Sequence, residues 1–354
     1  MFESVMWNYI REERDILTNL LSENSVREGA LRMKEAEVIY IVAHGSSCNA
    51  AVSIAPLISR LSGIRVYACT PSNFMHNAAS LYAEPIDKTW ILGISQTGTS
   101  RGVLEALDQV REIGFRTAGI TNEAGSPIEQ LSEITFPLMC GEEASNAKTK
   151  GYSATLLTLV LLGMELARVK QCLSAAELNE YYESLFHEIS EIPSFVEQTV
   201  FWCVNHQYGR NMKSLYVIGS GMHFGTAMEG QLKMMETQCI PSMFNDLGEF
   251  SHGMHRALTT DSNVILINTE ADRELCEATF IYLRKQSIPV LMINTLEPIN
   301  ADNVINVTPY PITSSIFLVT AVIQVLAAFV PELNGENPNR SRYNDYPEFV
   351  KTRV

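Results

Sequence analysis

Short, wholly apolar runs alternate along this chain with segments whose apolar residues recur every three or four positions. The run at 37–47, EVIYIVAHGSS, reads as a strand that ends in a glycine turn. IRVYACT, TWILGISQ, TAGIT and ITFPLM repeat the strand pattern, and helical segments such as NAAVSIAPLISRLSG and RGVLEALDQVREIGF stand between them. Strands without polar alternation, split by helices, predict a parallel sheet covered on both faces.

The same pattern returns in the second half. SLYVIGSGMHFGTAMEG, SNVILINTEAD and IPVLMINT match VIYIVAHGSSCNAAVS, KTWILGISQTGTS and FRTAGITN, in the same order and at nearly constant separation. The expectation is a tandem duplication of one α/β unit. Residues 1–30 are assigned to an N-terminal helix, amphipathic over its first twenty residues, and 31–171 to a first domain. A helical connector follows at 172–212, then a second domain at 213–332 and a polar tail at 333–354. In the connector, Ser174 and Glu177 have capping-box spacing, and Pro193 predicts a helix break or start.

Composition narrows the function. A length of 354 residues suits about two domains, and 46% hydrophobic against 19% charged residues is a globular balance. A net charge of -14, without a Lys/Arg cluster, disfavours nucleic acid and anionic membranes. The seven cysteines are scattered and form no CxxC, which predicts reduced thiols in a cytoplasmic enzyme without zinc or another metal. The longest apolar stretch, residues 314–330, is interrupted by Gln324 and reads as a buried helix rather than a membrane span. The acidic, amphipathic start is unlike a signal peptide.

Three segments carry chemistry. The turn ISQTGTSRG, between a strand and a helix, holds Ser95, Gln96, Thr97, Thr99 and Ser100 around Gly98. A helix N-terminus offers free N–H groups and a partial positive charge, so neutral hydroxyls there suit a phosphate. Ordinary capping needs one such hydroxyl, whereas four stand here. The equivalent turn of the second half carries Glu270 and Asp272, which would repel phosphate. In MHFGTAMEGQLKMMETQ, helical spacing puts Glu229, Lys233 and Glu236 on one narrow stripe. That stripe reads equally as a solvated ion pair or as an active-site wall. The third segment, NDLGEFSHGMHRAL, places His252 in a loop, and an imidazole is a side chain suited to proton transfer near neutral pH. His255 and His223 compete for that role. Lys148, Thr149 and Lys150 precede a further helix and, taken alone, read as solvated.

With AHGSS at 43–47, SQTGTS at 95–100, AKTKGYSAT at 147–155, EGQLKMMET at 229–237 and GEFSHG at 248–253, the chain resembles the double sugar-isomerase (SIS) domain family. That family includes the isomerase part of glucosamine-6-phosphate synthase and the fructosamine-6-phosphate deglycases. The resemblance implies two flavodoxin-like halves and no cofactor. It implies that Ser95, Gln96, Thr97 and Ser100 hold the phosphate of a phosphosugar, and that Ser47 approaches the sugar. By the same resemblance Ala147, Lys148, Glu229 and Lys233 line the site. Glu236 would move a proton between C1 and C2, and His252 would open the sugar ring from the partner subunit of a homodimer.

The departures from the synthase pattern set further expectations. The chain begins MFESVMW, without a glutamine amidotransferase segment, so ammonia delivery is not expected. Lys148 stands where the synthase has serine, and Lys351 stands in for its C-terminal lysine within a changed motif. The expected activity is hydrolysis of an amine-linked hexose 6-phosphate, a deglycation. The alternatives are isomerisation or deamination of an amino-hexose phosphate, and a non-catalytic phosphosugar sensor.

Overall fold

The computed structural model describes residues 4–77, 81, 83–340, 342–343 and 345–354. Two helices lead, α1 (Met6–Leu21) and α2 (Ser25–Arg32). The first α/β half runs β1 (Val38–Ala43), α3 (Gly45–Ser62), β2 (Arg65–Cys69), α4 (Pro71–Asn77), β3 (Thr89–Ile94) and α5 (Arg101–Ile113). It continues with β4 (Arg116–Thr121), α6 (Pro127–Gln130), β5 (Ile134–Pro137) and α7 (Lys150–Val169). The long α8 (Ala175–His206) leads to the second half: β6 (Ser214–Gly219), α9 (His223–Gln238), β7 (Ser242–Asn245), α10 (Leu247–His252) and β8 (Ser262–Asn268). Then come α11 (Arg273–Lys285), β9 (Val290–Asn294), β10 (Val304–Asn306), α12 (Ile316–Leu333) and the short α13 (Tyr346–Phe349).

Each half builds one five-stranded parallel sheet. The orders are β2-β1-β3-β4-β5 and β10-β9-β8-β6-β7. Numbered within its own half, the second order is the first read backwards, so both sheets share the flavodoxin-like topology. β3 and β8 are central and buried along their whole length, which explains why their sequences lack alternation. The expected duplication is therefore present in the strand order itself.

Two compact units result, interleaved in sequence. One comprises Asp15–Glu142, Lys150–Glu183 and Tyr343–Val354; the other comprises Met1–Arg14, Glu143–Thr149 and Ser184–Arg342. In the first unit, α3 packs on α7, where Gly163 lets the helices approach: a Cβ there would lie 3.1 Å from Ile58 Cγ1. Val42, Ile91, Val103, Leu107 and Ile128 are buried together in this unit's core. In the second unit, α9 packs on α12, and Ile218, Leu247, Val264, Leu266 and Met292 form a buried cluster. α7 and α12 are long and apolar enough to span a membrane, yet both are buried in the fold nearly end to end. The reading of 314–330 as a core helix holds.

Pro193 departs from expectation. It neither breaks nor starts a helix, and α8 runs through it for 32 residues. Proline removes one ladder bond and crowds the preceding turn. Here Ile189, Ile192, Phe195 and Val196 bury the helix around it, and that packing outweighs the local cost. The Ser174 box forms as expected: Ser174 N–H donates to Glu177 Oε2 at 2.8 Å, and Glu177 N–H donates to Ser174 Oγ at 3.2 Å.

Candidate functional site

The hydroxyl turn belongs to the first unit and sits at the carboxyl end of β3, where open α/β sheets bind ligands. Ser95 Oγ donates to Ser100 Oγ at 3.0 Å and accepts the Ser100 N–H at 3.2 Å, so one hydroxyl folds the turn onto itself. Thr97 and Thr99 pair their hydroxyls at 2.9 Å. Gly98 has φ +68°, and a Cβ there would fall 2.1 Å from Ser126 Oγ. Only glycine meets both demands. Ser47 lies half-buried in the first turn of α3, at the end of the neighbouring β1.

Gln96 is held by Cys140 and Asn122, which no sequence pattern singles out, and by Gly151 of the AKTKGYSAT segment. Its Nε2 lies 3.6 Å from Cys140 Sγ, and Asn122 Oδ1 accepts from the Cys140 N–H at 3.0 Å. A Cβ on Gly151 would fall 2.8 Å from the Gln96 amide, so that glycine makes room for it. No motif joins Cys140, Asn122 and Gly151; only folding brings them together.

The chain's last residues reach this turn. Arg101 N–H donates to Thr352 O at 3.0 Å, Val354 N–H donates to Thr99 O at 3.1 Å, and Ser100 bridges Arg353 antiparallel. Lys351 is exposed and directly precedes this paired strand.

The charged stripe belongs to the second unit, and all three residues fall within α9 as expected. Lys233 Nζ stands 2.6 Å from Glu236 Oε2 and 3.4 Å from Glu229 Oε1. Glu229 and Lys233 are buried, whereas the Glu236 side chain stays 33% exposed and reachable. Burial disfavours the Lys233 charge, but Glu229 and Glu236 outweigh it and raise the pKa, so the ammonium persists. This is no solvated ion pair. A desolvated lysine is pinned between two carboxylates, one of them accessible.

The segment Glu143–Thr149 lies in the same unit. Thr149 directs both its N–H and its hydroxyl onto Glu143 Oε1, at 2.5 and 2.6 Å. Glu143 also adds to the negative potential that Lys233 feels. Lys148 Nζ donates to the Glu143 backbone carbonyl, Ala147 is buried, and Lys150 is buried in the other unit. The reading of these lysines as a solvated pair therefore fails, because the turn before α7 folds their stems inward. Glu143 was not anticipated; its only sequence signal is one more glutamate in an acidic loop.

His252 is the last residue of α10 rather than a loop residue. Asp246 caps that helix by accepting the Glu249 N–H at 2.8 Å, which is why six residues suffice. His252 is exposed, and its ring has no partner among the described residues. Its two competitors are structural. His255 Nδ1 meets Phe250 O at 3.1 Å. His223 is buried, donates from Nε2 to Ser314 O at 2.7 Å, and has its pKa pushed down by burial to about 4.

All seven cysteines are free thiols. Burial lifts Cys48 and Cys69 to about 11 and Cys203 and Cys276 to about 12, which makes them poor nucleophiles.

The SIS domain family model matches residues 32–164 and 210–329. Glutamine–fructose-6-phosphate aminotransferase (isomerizing) of Clostridium perfringens is 26% identical over 286 residues, covering 78% of this chain and 46% of that protein. The chain spans about half, or less, of the length of such curated relatives. Among solved structures, a chain from Clostridium difficile 630 assigned as a phosphosugar isomerase superposes with a TM-score of 0.89, at 23% identity over 99% of both chains. Glucosamine-6-phosphate deaminase of Thermotoga maritima superposes with a TM-score of 0.76, at 20% identity over 96% of this chain and 97% of that one.

Proposed function

Because the chain belongs to the SIS-domain family, we propose that it is a phosphosugar-processing enzyme that hydrolyses an amine-linked fructose 6-phosphate to glucose 6-phosphate and the free amine. The observation that carries this reading is Glu236, an accessible carboxylate fixed by a buried, charged lysine. Such a group is suited to moving a proton between adjacent carbons.

In this reading the hydroxyls of Ser95, Thr97 and Ser100, with Gln96, hold the phosphate, and Ser47 contacts the sugar. The partner subunit's His252 assists ring opening in a homodimer. Glu236 takes a proton from C1 and returns it to C2, which converts the amino-ketose into an imine at C1. Water adds to C1, the C–N bond breaks, and the amine leaves with a proton. Lys233 holds the carboxylate in place, and Glu229 anchors Lys233 from its other side. Ala147, Lys148 and Lys351 complete the sugar contacts. No cofactor or metal enters the scheme, and the setting is cytoplasmic.

The test is incubation with fructose-amine 6-phosphates, with product identification. The expected result is equal release of amine and glucose 6-phosphate. Ammonia or an isomerised sugar, without amine release, would assign the chain to deamination or isomerisation, which use the same carboxylate. Tight binding without any product would make it a sensor.

A further inference from the structure

We propose that the second unit carries an anion site of its own, built to take a phosphate monoester. A cavity of about 370 Å³ opens beside the loop between α8 and β6, the C-terminal end of α9 and the residues after α12. Arg210, Lys213, Arg340 and Arg342 line it, and Glu336 is the one carboxylate that does among the described residues. In a chain with 40 acidic and 26 basic residues, such a convergence of cations runs against composition.

The ordinary explanation is that these cations answer helix C-termini. Arg340 does so in part. Its Nη2 donates to Gln238 O, at the carbonyl end of α9, at 3.2 Å, and its Nη1 pairs with Glu336. Charge decides whether that is sufficient. The ends of α9 and α12 supply roughly half a negative charge each, and Glu336 supplies one more. Four cations exceed this by about two positive charges, which is close to what a phosphate monoester carries near neutral pH. The surplus is visible residue by residue. Lys213 and Arg342 have no hydrogen-bond or ion-pair partner for their side chains among the described residues. Arg340 also keeps a buried Nε–H without an acceptor. The volume suits inorganic phosphate or a phosphorylated metabolite. A ligand here would touch Gln238 and Cys239, the residues that follow the turn of α9 bearing Glu236.

The experiment is titration calorimetry on the whole chain with inorganic phosphate, adenosine 5′-monophosphate and glucose 6-phosphate. It uses wild type, Ser95→Ala/Ser100→Ala, and that double variant with Lys213→Ala and Arg342→Ala added. Expected is saturable binding of at least one probe that survives loss of the Ser95 and Ser100 hydroxyls and weakens tenfold or more on removal of the two cations. Tighter binding of an organic monoester than of inorganic phosphate marks the site as one for a metabolite; the reverse marks it as one for free phosphate. No saturable binding to the serine variant, or equal binding with and without the two cations, overturns the proposal. On wild type, phenylglyoxal labelling followed by peptide mapping gives an independent reading. The probes should protect Arg340 and Arg342, and unprotected labelling of both overturns it as well.

Discussion

The ammonium of Lys233 stands 2.6 Å from the carboxylate of Glu236, one turn further along the same helix. This contact gives α9 a fixed base with an accessible face. Glu236→Gln keeps the shape and a hydrogen-bond acceptor but cannot accept the proton. Its turnover is expected to fall by about 10²–10⁴-fold, with phosphosugar affinity changed only slightly. Steady-state kinetics beside calorimetry separates the two effects, and unchanged turnover would remove Glu236 from the chemistry.

Removing the lysine acts on stability instead. Lys233→Met leaves the buried Glu229 without its ammonium, and such an uncompensated charge costs about 3–5 kcal/mol. Adding Glu229→Gln should recover most of that loss. Urea denaturation of both variants measures it, and equal losses in the single and double variants would show that Glu229 and Lys233 are not coupled.

Gly98→Ala tests the geometry of the hydroxyl turn. Its positive φ alone costs an alanine roughly 1–3 kcal/mol, and the added Cβ also meets Ser126. Gly125 has φ +74° with open space around it. Gly125→Ala is therefore the control for backbone strain, and Gly98→Ala should lose more stability in a thermal melt and bind sugar phosphate more weakly. Equal effects of the two would deny the contact with Ser126.

Two buried groups at the start of α12 should give stability opposing pH slopes. Burial raises Glu188 from 4.5 to about 7, although it accepts from Thr313 Oγ1 and the Phe317 N–H. Its stabilising contribution is complete below 4.5 and is lost as pH rises through about 7. His223 is lowered from 6.5 to about 4, so its contribution is complete above 6.5 and is lost as pH falls through about 4. Between pH 4.5 and 6.5 the two oppose each other. Glu188→Gln should make stability climb with pH across that window, and His223→Gln should make it decline. Denaturant midpoints across the window read the slopes; profiles parallel to wild type in both variants would contradict the assignment.

The subunit arrangement is testable by complementation. Glu236→Gln and His252→Ala chains are each expected to be inactive alone. If the partner subunit's His252 serves each site, mixed dimers hold one intact site and recover up to about a quarter of wild-type activity in an equal random mixture. Hybrids that form, as shown by differential tagging, yet stay inactive would mean that each site is built from one chain.

Much of the architecture could be read from apolar spacing alone. Strands without alternation were bound to be buried on both faces, and recurrence of the same punctuation foretold two sheets of one topology. The stripe on α9 followed from helical periodicity, but the pattern could not tell a wet ion pair from a buried one. That distinction depends on what α9 packs against, chiefly α12. Pro193 misled because propensity is local, whereas the apolar neighbours that hold α8 through it are tertiary. Lys148, Lys150 and His252 misled for a related reason: their settings depend on a tight turn, a buried helix start and a capped six-residue helix. Cys140 and Asn122 had no signal, and Gly151 stood in a recognisable segment without a sign of its role, because all three meet Gln96 only through contacts distant in sequence.

The pairing of Thr352 and Val354 with the turn at Thr99–Arg101 has an energetic corollary. Two main-chain bonds return a net ~1 kcal/mol each, while immobilising four residues forfeits about 1–2 kcal/mol apiece. By those bonds alone the strand would lie mostly detached, about 2–6 kcal/mol uphill, so its hold on the turn is weak and depends on further contacts. An occupant of the turn that favours either state would therefore set how often this end of the polypeptide covers it, and amide hydrogen exchange at Arg101 and Val354 would register the change.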